Sequence, residues 1–370
     1  MKILHVGKYY PPTRGGMETV LENLTEGCLA RGHDVSVLVS SEGPERASTT
    51  LGGTGRLIRL PRAGLLNSQP LTLSLVSELR REITRFDPDV VHLHFPNPLG
   101  AAAWRLLGLT GFRLPPLFVW HHADITRQKV GRLLAAPLQG SCLSRAAGVC
   151  VSSADLRDHA RELVNFRDRT TVIPFGIAPE PWVSVRARGG GPFLFVGRLV
   201  PYKGLDILFR ALGQVPAARL TVVGSGPQAG SLNDTVTALG LTDRVHFTGE
   251  ISSEDLLAVM ESATAMVLPS VDPSETFGLV QLEAMAAGLP VIATDLPTGV
   301  AGVGAGAETG RLVPPGDVAA LAGALSDLGE NPYAARDMGA AARARFLDRF
   351  TRDHMIDRLL DFYRAGLARR

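Results

Sequence analysis

The chain has 370 residues, with 38 Lys and Arg against 36 Asp and Glu, a formal net charge of +2. Its composition, 45% hydrophobic and 20% charged, excludes a disordered protein, and its length suits two domains better than one core. A charge so close to balance gives no support for a nucleic-acid partner, and we expect none.

The sequence shows no sign of export or membrane insertion. Residues 1–6, MKILHV, begin a strand without an apolar signal region, and no apolar run approaches the roughly 18 residues of a membrane span. The three cysteines, Cys28, Cys142 and Cys150, lack metal-ligand spacing, which predicts free buried thiols in a reducing compartment. We therefore expect a cytoplasmic protein, either soluble or peripheral at the inner face of a membrane.

The first half of the chain alternates predicted strands with helices. A strand over residues 3–6, a helix over 17–31 and a strand over 33–40 predict a right-handed parallel β-α-β unit. Gly15 and Gly16 precede that helix, so their backbone could approach a ligand phosphate, although a plain turn explains them equally well.

Two histidines alternate on a strand predicted over residues 89–94. His92 and His94 could bind a metal, but no Cys or carboxylate nearby completes a set of ligands. Histidines at a pocket edge are the preferred interpretation, and we expect no metal and no cofactor.

Polar residues follow the next predicted strand, residues 117–120. Ligands of open α/β folds bind at the carboxyl ends of strands, so we expect chemistry at the residues that come next: His121, His122, Asp124, Arg127 and Lys129. The register decides which of the two adjacent histidines is the functional ring: a shift of one residue would put His121 in the place of His122.

Residues 99–116 mix apolar side chains with Arg105 and Arg113. Such a segment suits contact with lipid or a lipid-linked acceptor, and an ordinary core helix explains it as well. Peripheral membrane contact is therefore a hypothesis.

The glycines of residues 184–191, SVRARGGG, predict a flexible interdomain linker. We expect an N-terminal domain over 1–183, a C-terminal domain over 192–349 and a last helix over 350–370.

The second half begins again with a strand over residues 192–196. Arg198 and Lys203 follow it and precede a helix, where a guanidinium and an ammonium can clamp a diphosphate. The ends of later strands, at Gly224, Gly249 and Ser270, would line one crevice, with the nucleoside base near residues 249–251, which include Glu250.

Glu275 and Glu283 lie on either side of the start of a helix predicted over residues 279–287. Gly278 stands at that start, roughly 7 Å from Glu283 at 1.5 Å per helical residue. A phosphate bound by the free N–H groups there could present one hydroxylated ring to each glutamate. A nucleotide sugar has this shape.

These motifs resemble the retaining GT-B glycosyltransferases of family GT4. Glu275 and Glu283 match the family's E-x7-E signature, and residues 197–204 match its G-R-x3-x-K-G motif. Residues 122–129 are similar to the H-x-D-I-x-R-Q-K segment of the mannosyltransferase-like group, and residues 309–317 to T-G-x-L-V-P-P-G-D.

The resemblance implies an α/β fold of the GT-B type, with two Rossmann-like doubly wound domains facing a cleft. It implies a metal-independent hexosyltransferase that retains anomeric configuration. The partners would be a nucleotide-sugar donor, GDP-mannose first, and a glycan, lipid-linked or small-molecule acceptor. A UDP-sugar donor, an epimerase or phosphorylase of the same fold, and a non-catalytic nucleotide-sugar binder are the alternatives.

The resemblance also assigns roles to residues. The implied catalytic residues are His122, Arg198, Lys203 and Glu275. The implied donor contacts are Gly16, Gly224, Glu250, Phe277, Gly278, Leu279 and Glu283. The acceptor side would comprise Gly15, His94, Asp124, Arg127 and Lys129.

Overall fold

The computed structural model describes residues 1–13, 15–66, 69–124, 129–304 and 306–369, and for residues 66 and 129–134 it describes the backbone alone. The chain forms two compact units. The first comprises Met1–Gly176 together with Arg352–Arg370, and the second comprises Ile177–Thr351.

The first unit contains ten strands and six α-helices among its described residues. In chain order they are β1 Lys2–Val6, α1 Gly16–Ala30, β2 Asp34–Ser40, β3 Ala47–Leu51, β4 Gly55–Leu60, β5 Gly64–Leu66, β6 Gln69–Leu71, α2 Leu75–Phe86, β7 Val90–Phe95, α3 Pro98–Leu109, β8 Leu117–His121, α4 Lys129–Arg145, β9 Gly148–Val151, α5 Ala154–His159 and β10 Thr170–Val172, with the last helix of the chain, α13 Arg352–Ala368.

Eight of these strands form one sheet in the order β10-β9-β8-β7-β1-β2-β4-β3. Every neighbouring pair is parallel except β3 and β4. The strand order reverses between β1 and β7, and in doubly wound folds ligands bind at the carboxyl ends of the strands at such a point.

The second unit contains six strands and seven α-helices among its described residues. They are β11 Phe193–Val196, α6 Leu205–Gly213, β12 Leu220–Val223, α7 Ala229–Ala238, β13 Val245–Gly249, α8 Ser253–Ser262, β14 Met266–Leu268, α9 Val280–Ala286, β15 Val291–Thr294, α10 Gly299–Val303, β16 Gly310–Val313, α11 Val318–Glu330 and α12 Pro332–Arg349.

These strands form a wholly parallel sheet in the order β13-β12-β11-β14-β15-β16. Both faces are covered, so its strands read as short apolar runs such as FLFV in β11 and VIAT in β15. The strand order reverses between β11 and β14, which places the second switch point at the ends of these two strands.

The division of the chain differs from the predicted boundaries. It falls after Gly176, and the segment predicted as a linker bonds to the second unit: the N–H of Ala187 donates to the carbonyl of Ala287, and that of Arg188 donates to Glu261. The last helix, α13, belongs to the first unit, where its Phe362 and Tyr363 pack edge-on against Phe118 of β8.

Helix α3 covers most of residues 99–116, the segment that suits either lipid contact or an ordinary core helix. Trp104 and Leu107 are buried, whereas Leu106 and Leu109 on the other side are 51% and 72% exposed. Among the described residues, no helix combines the length and the apolar character needed to cross a membrane. The three cysteines are free and buried, as predicted.

Candidate active site

Three glycines follow neighbouring strands at the switch point of the second unit. Gly197, Gly224 and Gly249 lie at the carboxyl ends of β11, β12 and β13. The N–H of Gly224 donates to the carbonyl of Gly249 at 2.8 Å, and a methyl group on Gly224 would overlap the carbonyl oxygen of Gly197. Because none of the three has a side chain, the backbone itself forms this rim of the sheet.

A short 3₁₀ turn, Pro201–Lys203, carries the lysine of the predicted diphosphate clamp. Gly204 ends the turn in the left-handed region, with φ of 69°, and a side chain there would overlap the carbonyl oxygen of Pro269. This close packing holds the turn against the loop that follows β14. Lys203 therefore lies beside the loop that carries Glu275.

Lys203 and Glu275 form a buried ion pair. The ammonium Nζ lies 2.5 Å from Oε2 of the carboxylate, and the two side chains are only 11% and 10% exposed. The hydroxyl of Ser270 donates to the same Oε2 at 3.2 Å. Burial alone would lower the pKa of Lys203, but the charge and hydrogen bond of Glu275 outweigh it, so this pKa lies above its ordinary value.

Two threonines fix the backbone around this pair. The hydroxyl of Thr298 donates to the carbonyl of Glu275 at 2.8 Å, and that of Thr294 donates to the carbonyl of Ser270 at 2.6 Å. These bonds tie the loop after β14 to the end of β15, and the carboxylate is held without help from a ligand.

Gly278 lies three residues after Glu275 and needs its glycine. Its φ is 72°, and a Cβ would approach Cδ2 of Leu268 to 2.6 Å. The preceding Phe277 is buried against Phe350, and Leu279 adopts helical angles directly before α9. This arrangement brings the first N–H groups of the helical segment close to the end of β14.

Glu283 lies inside α9 with its side chain half-buried. No hydrogen bond or ion pair reaches its carboxylate from the residues that the structure describes. Burial raises the pKa of this carboxyl to about 7. A carboxyl with such a pKa is only partly ionised near neutral pH, so a ligand that shifts this pKa would change its charge.

Arg198 and Glu250 lie on the same edge of the second sheet. Arg198 follows Gly197 and is exposed. The hydroxyl of Ser225 donates to Glu250 at 2.5 Å, which joins the ends of β12 and β13.

In the first unit, three imidazoles form a hydrogen-bonded row. Nδ1 of His5 and Nε2 of His94 are 3.0 Å apart, and Nδ1 of His94 and Nε2 of His122 are 2.9 Å apart. All three side chains are buried, between 0% and 3% exposed. The predicted catalytic His122 is thus the last ring of a row that crosses β1 and β7 and ends after β8.

His121 points away from this row. Its Nε2 lies 3.1 Å from Asp124, whose carboxylate also accepts the backbone N–H of Arg161 at 2.8 Å. Burial would raise the pKa of Asp124, but these bonds and the charge of His121 lower it overall. Of the other predicted acceptor-side residues, Arg127 lies outside the described residues and the side chain of Lys129 is not described.

The predicted glycine pair precedes α1 as expected. Gly16 is the first residue of the helix, and Gly15 stands before it in extended conformation. The carboxylate of Glu18 folds back into the space that a side chain on Gly15 would fill. Glu18 is 7% exposed, and burial raises the pKa of its carboxyl. The anion next to this helix start is therefore a side chain of the protein.

Two groups of side chains could present ligand atoms to a metal within the described part of the chain: His5, His92 and His94, and His121, Asp124 and Glu162. The first group offers no anionic ligand, so a divalent ion would add uncompensated charge to a buried site. Its rings also stack, with 26° between His92 and His94. That no metal takes part stays a prediction.

Comparison with known proteins decides the family. A family model described as Glycosyltransferase Family 4 matches residues 14–181, and one described as Glycosyl transferases group 1 matches residues 182–345. The sequence is 31% identical to O-antigen chain mannosyltransferase C of Escherichia coli, over 98% of each chain. The chain belongs to glycosyltransferase family 4.

A second relative and a solved structure agree with this family and its fold. The enzyme is 34% identical to D-rhamnosyltransferase WbpZ of Pseudomonas aeruginosa, over 95% of the chain and 92% of that protein. Sucrose-phosphate synthase from Thermosynechococcus elongatus has the same fold, with a TM-score of 0.84 at 24% identity over 100% of each chain. The predicted family and GT-B fold are confirmed, and the enzyme is a hexosyltransferase.

Several residues around these sites were missed by the sequence analysis. Ser270 and Thr298 were not recognised as supports of Glu275, because a serine or threonine after a strand is common. Glu18 carried a usable signal, since an acidic residue in the first turn after a glycine pair is typical of a helix start. His5 carried none, because its partner is 89 residues away.

Glu283 should make stability depend on pH. Its folded-state pKa is about 7, above the ordinary value, so its contribution to stability is full at low pH and is lost as pH rises through 7. We expect Glu283→Gln to gain stability relative to the wild type between about pH 5 and pH 8 in urea unfolding. The exposed Glu254→Gln in α8 is the control. Parallel pH curves for wild type and Glu283→Gln would contradict the raised pKa.

Proposed function

We propose that this family 4 enzyme transfers mannose from GDP-mannose, with retention of configuration, to a glycan, lipid-linked or small-molecule acceptor. The observation that carries the proposal is the buried Lys203–Glu275 pair beside Gly278 at the switch point of the second unit. The mannosyltransferase relative and the segment H-x-D-I-x-R-Q-K support the choice of sugar. A rhamnosyl donor is the second candidate, because WbpZ is a D-rhamnosyltransferase.

The departing diphosphate would be stabilised by positive groups and by backbone N–H groups. Lys203 supplies a charge held in place by its buried partner, and Arg198 supplies a guanidinium that can bind two phosphate oxygens. Gly278 and Leu279 precede α9, and their N–H groups would bind a third oxygen. Preorganised donors of this kind supply several kcal/mol where charge develops in a transition state.

Two carboxylates would hold the rest of the donor. Glu275 accepts both Lys203 and Ser270 on Oε2, so Oε1 is the atom we assign to the hydroxyls of the sugar. Glu283 would accept the ribose hydroxyls, and Gly224 and Glu250 would lie near the base. The apolar packing of Phe277 keeps Gly278 in position.

Retention follows when the acceptor hydroxyl attacks the anomeric carbon on the face that the diphosphate leaves. The new glycosidic bond forms as the bond to the phosphate oxygen breaks, and that phosphate oxygen takes the acceptor's proton. The positive groups that would bind the diphosphate make a divalent metal unnecessary in this scheme. His122 would lie against the donor sugar and Gly16 would contact the donor, whereas Gly15 and the segment containing Arg127 and Lys129 would bind on the acceptor side.

The proposal is tested with a panel of donors. A ligand that binds only the folded state raises the melting temperature, so we expect GDP-mannose to raise Tm more than UDP-glucose at equal concentration. EDTA should leave turnover unchanged, and NMR of the product should show the donor's anomeric configuration. A larger shift with UDP-glucose, an inverted product or a strict Mn²⁺ requirement would each contradict the corresponding part.

Lys203→Ala should lower kcat more than it weakens donor binding, because its charge is needed most when the diphosphate leaves. A loss of about 100-fold in kcat is the scale for one preorganised donor.

Glu275→Ala should instead raise KM for the nucleotide sugar while affinity for free GDP changes little. Arg210→Ala, an exposed arginine in α6, is the control. Circular dichroism must show folded protein, since Lys203→Ala leaves Glu275 buried and unpaired. Wild-type rates in Lys203→Ala would refute the clamp.

We also propose peripheral contact between α3 and anionic lipid. Leu106 and Leu109 are exposed on this helix, and the exposed Arg105 stands next to them. The double variant Leu106→Ser/Leu109→Ser should bind phosphatidylglycerol vesicles about tenfold less in a sedimentation assay. Leu239→Ser, which changes an exposed leucine of the second unit, should bind like the wild type. A wild-type protein that stays in the supernatant would end this proposal.

A further inference from the structure

The row of three histidines ends in two unpartnered nitrogens. His5 uses Nδ1 in its hydrogen bond with His94, and its Nε2 is the leftover nitrogen. His122 uses Nε2 in its hydrogen bond with His94, and its Nδ1 is the leftover nitrogen. Both leftover nitrogens are buried and have no hydrogen-bond partner among the described residues. The middle ring, His94, uses both of its nitrogens inside the row.

All three rings are neutral. Burial lowers the pKa of His5 and of His122 to about 3 and that of His94 well below its ordinary value. At neutral pH each ring therefore carries one N–H and one bare nitrogen. The row holds three N–H groups, and its two hydrogen bonds use only two of them as donors.

The third N–H must lie at one end of the row. If His94 donates to His5, then His122 must donate to His94, and the extra N–H is on Nε2 of His5. If His5 donates to His94, then His94 donates to His122, and the extra N–H is on Nδ1 of His122. The bonds therefore make the three rings change tautomer together.

The two ends differ in what can satisfy that N–H. His5 lies within β1 and is fully buried, so an N–H on its Nε2 would stay without an acceptor, which is costly. His122 directly follows β8, at the carboxyl edge where ligands of this fold bind. Nδ1 of His122 is as buried as Nε2 of His5, but at this edge the oxygen of a ligand or of water can come within reach of the N–H.

We propose that His5 and His94 are positioning residues that hold His122 as its Nδ1–H tautomer, so that this N–H donates to an oxygen of the sugar substrate. The identity of the substrate rests on the proposed glycosyl transfer. His122 is then a hydrogen-bond donor and not a base, which agrees with a mechanism in which the leaving phosphate takes the acceptor's proton.

The direct test is the tautomer of His122 in the unliganded wild-type enzyme. Long-range ¹H–¹⁵N correlation spectra of protein with ¹⁵N-labelled histidine distinguish protonated from bare ring nitrogens, and the chain has nine histidines to assign. We expect Nδ1 of His122 to be protonated and Nε2 to be bare, with the same polarity in His94. The reverse polarity, or an equal mixture of tautomers, would overturn the proposal.

Cutting the row in the middle gives the functional test. His94→Phe should leave His122 as a mixture of tautomers and lower kcat about 10- to 100-fold, with a smaller change in donor KM. His92→Phe is the matched control, because His92 is an equally buried histidine two residues away whose Nδ1 contacts the hydroxyl of Tyr363. Its ring stacks on His94 and His5, which phenylalanine preserves, but it shares no hydrogen bond with the row. The control should keep both the His122 spectrum and kcat.

The outcomes separate this proposal from the proposed function. Equal losses in His94→Phe and His92→Phe would show a general packing role and overturn it, as would wild-type kcat in His94→Phe. If both variants fail to fold, the wild-type spectrum decides alone. The expected spectrum without any turnover of a nucleotide sugar would support the tautomer and refute the transferase scheme.

Discussion

The geometry of the second unit depends on one buried ion pair. Lys203 and Glu275 come from loops after different strands, and each charge would be costly to bury without the other. The pair joins these loops at the point where the strand order of the sheet reverses. Ser270 donates to the carboxylate of Glu275 and Thr298 to its backbone carbonyl, so the loops are fixed before a ligand arrives. A site assembled in advance loses little free energy to reorganisation when charge moves during a reaction.

In the first unit the candidate catalytic residue, His122, is uncharged, in contrast to the ion pair of the second unit. Within the described part of the chain no carboxylate contacts His122, whereas the neighbouring His121 contacts Asp124. The two adjacent rings therefore have different surroundings. One is attached to a loop by a charged partner, and the other is attached to the sheet by a row of uncharged rings. This contrast gives a physical reason to separate two histidines that the sequence alone leaves interchangeable.

The sequence was a good guide to the parallel strands and their helices, because buried apolar runs alternate with amphipathic segments. β8 and β11 were recognised within one residue of their bounds. It was a poor guide to β3, whose ASTTL side chains are mostly exposed and whose pairing with β4 is antiparallel. The motifs located Lys203 and Glu275 separately. Their contact spans 72 positions and depends on the left-handed Gly204, which no local pattern reveals.

Because helix α13 belongs to the first unit, the two units are completed at different stages of synthesis. The second unit is one continuous stretch of chain, Ile177–Thr351, and every strand and helix it needs has left the ribosome before α13 does. The first unit begins with β1 but lacks the rings of Phe362 and Tyr363 over Phe118 until the final helix has been translated. The domain that is started first is therefore the one that is completed last, and the part of its sheet around Phe118 and His92 lacks its α13 cover until then.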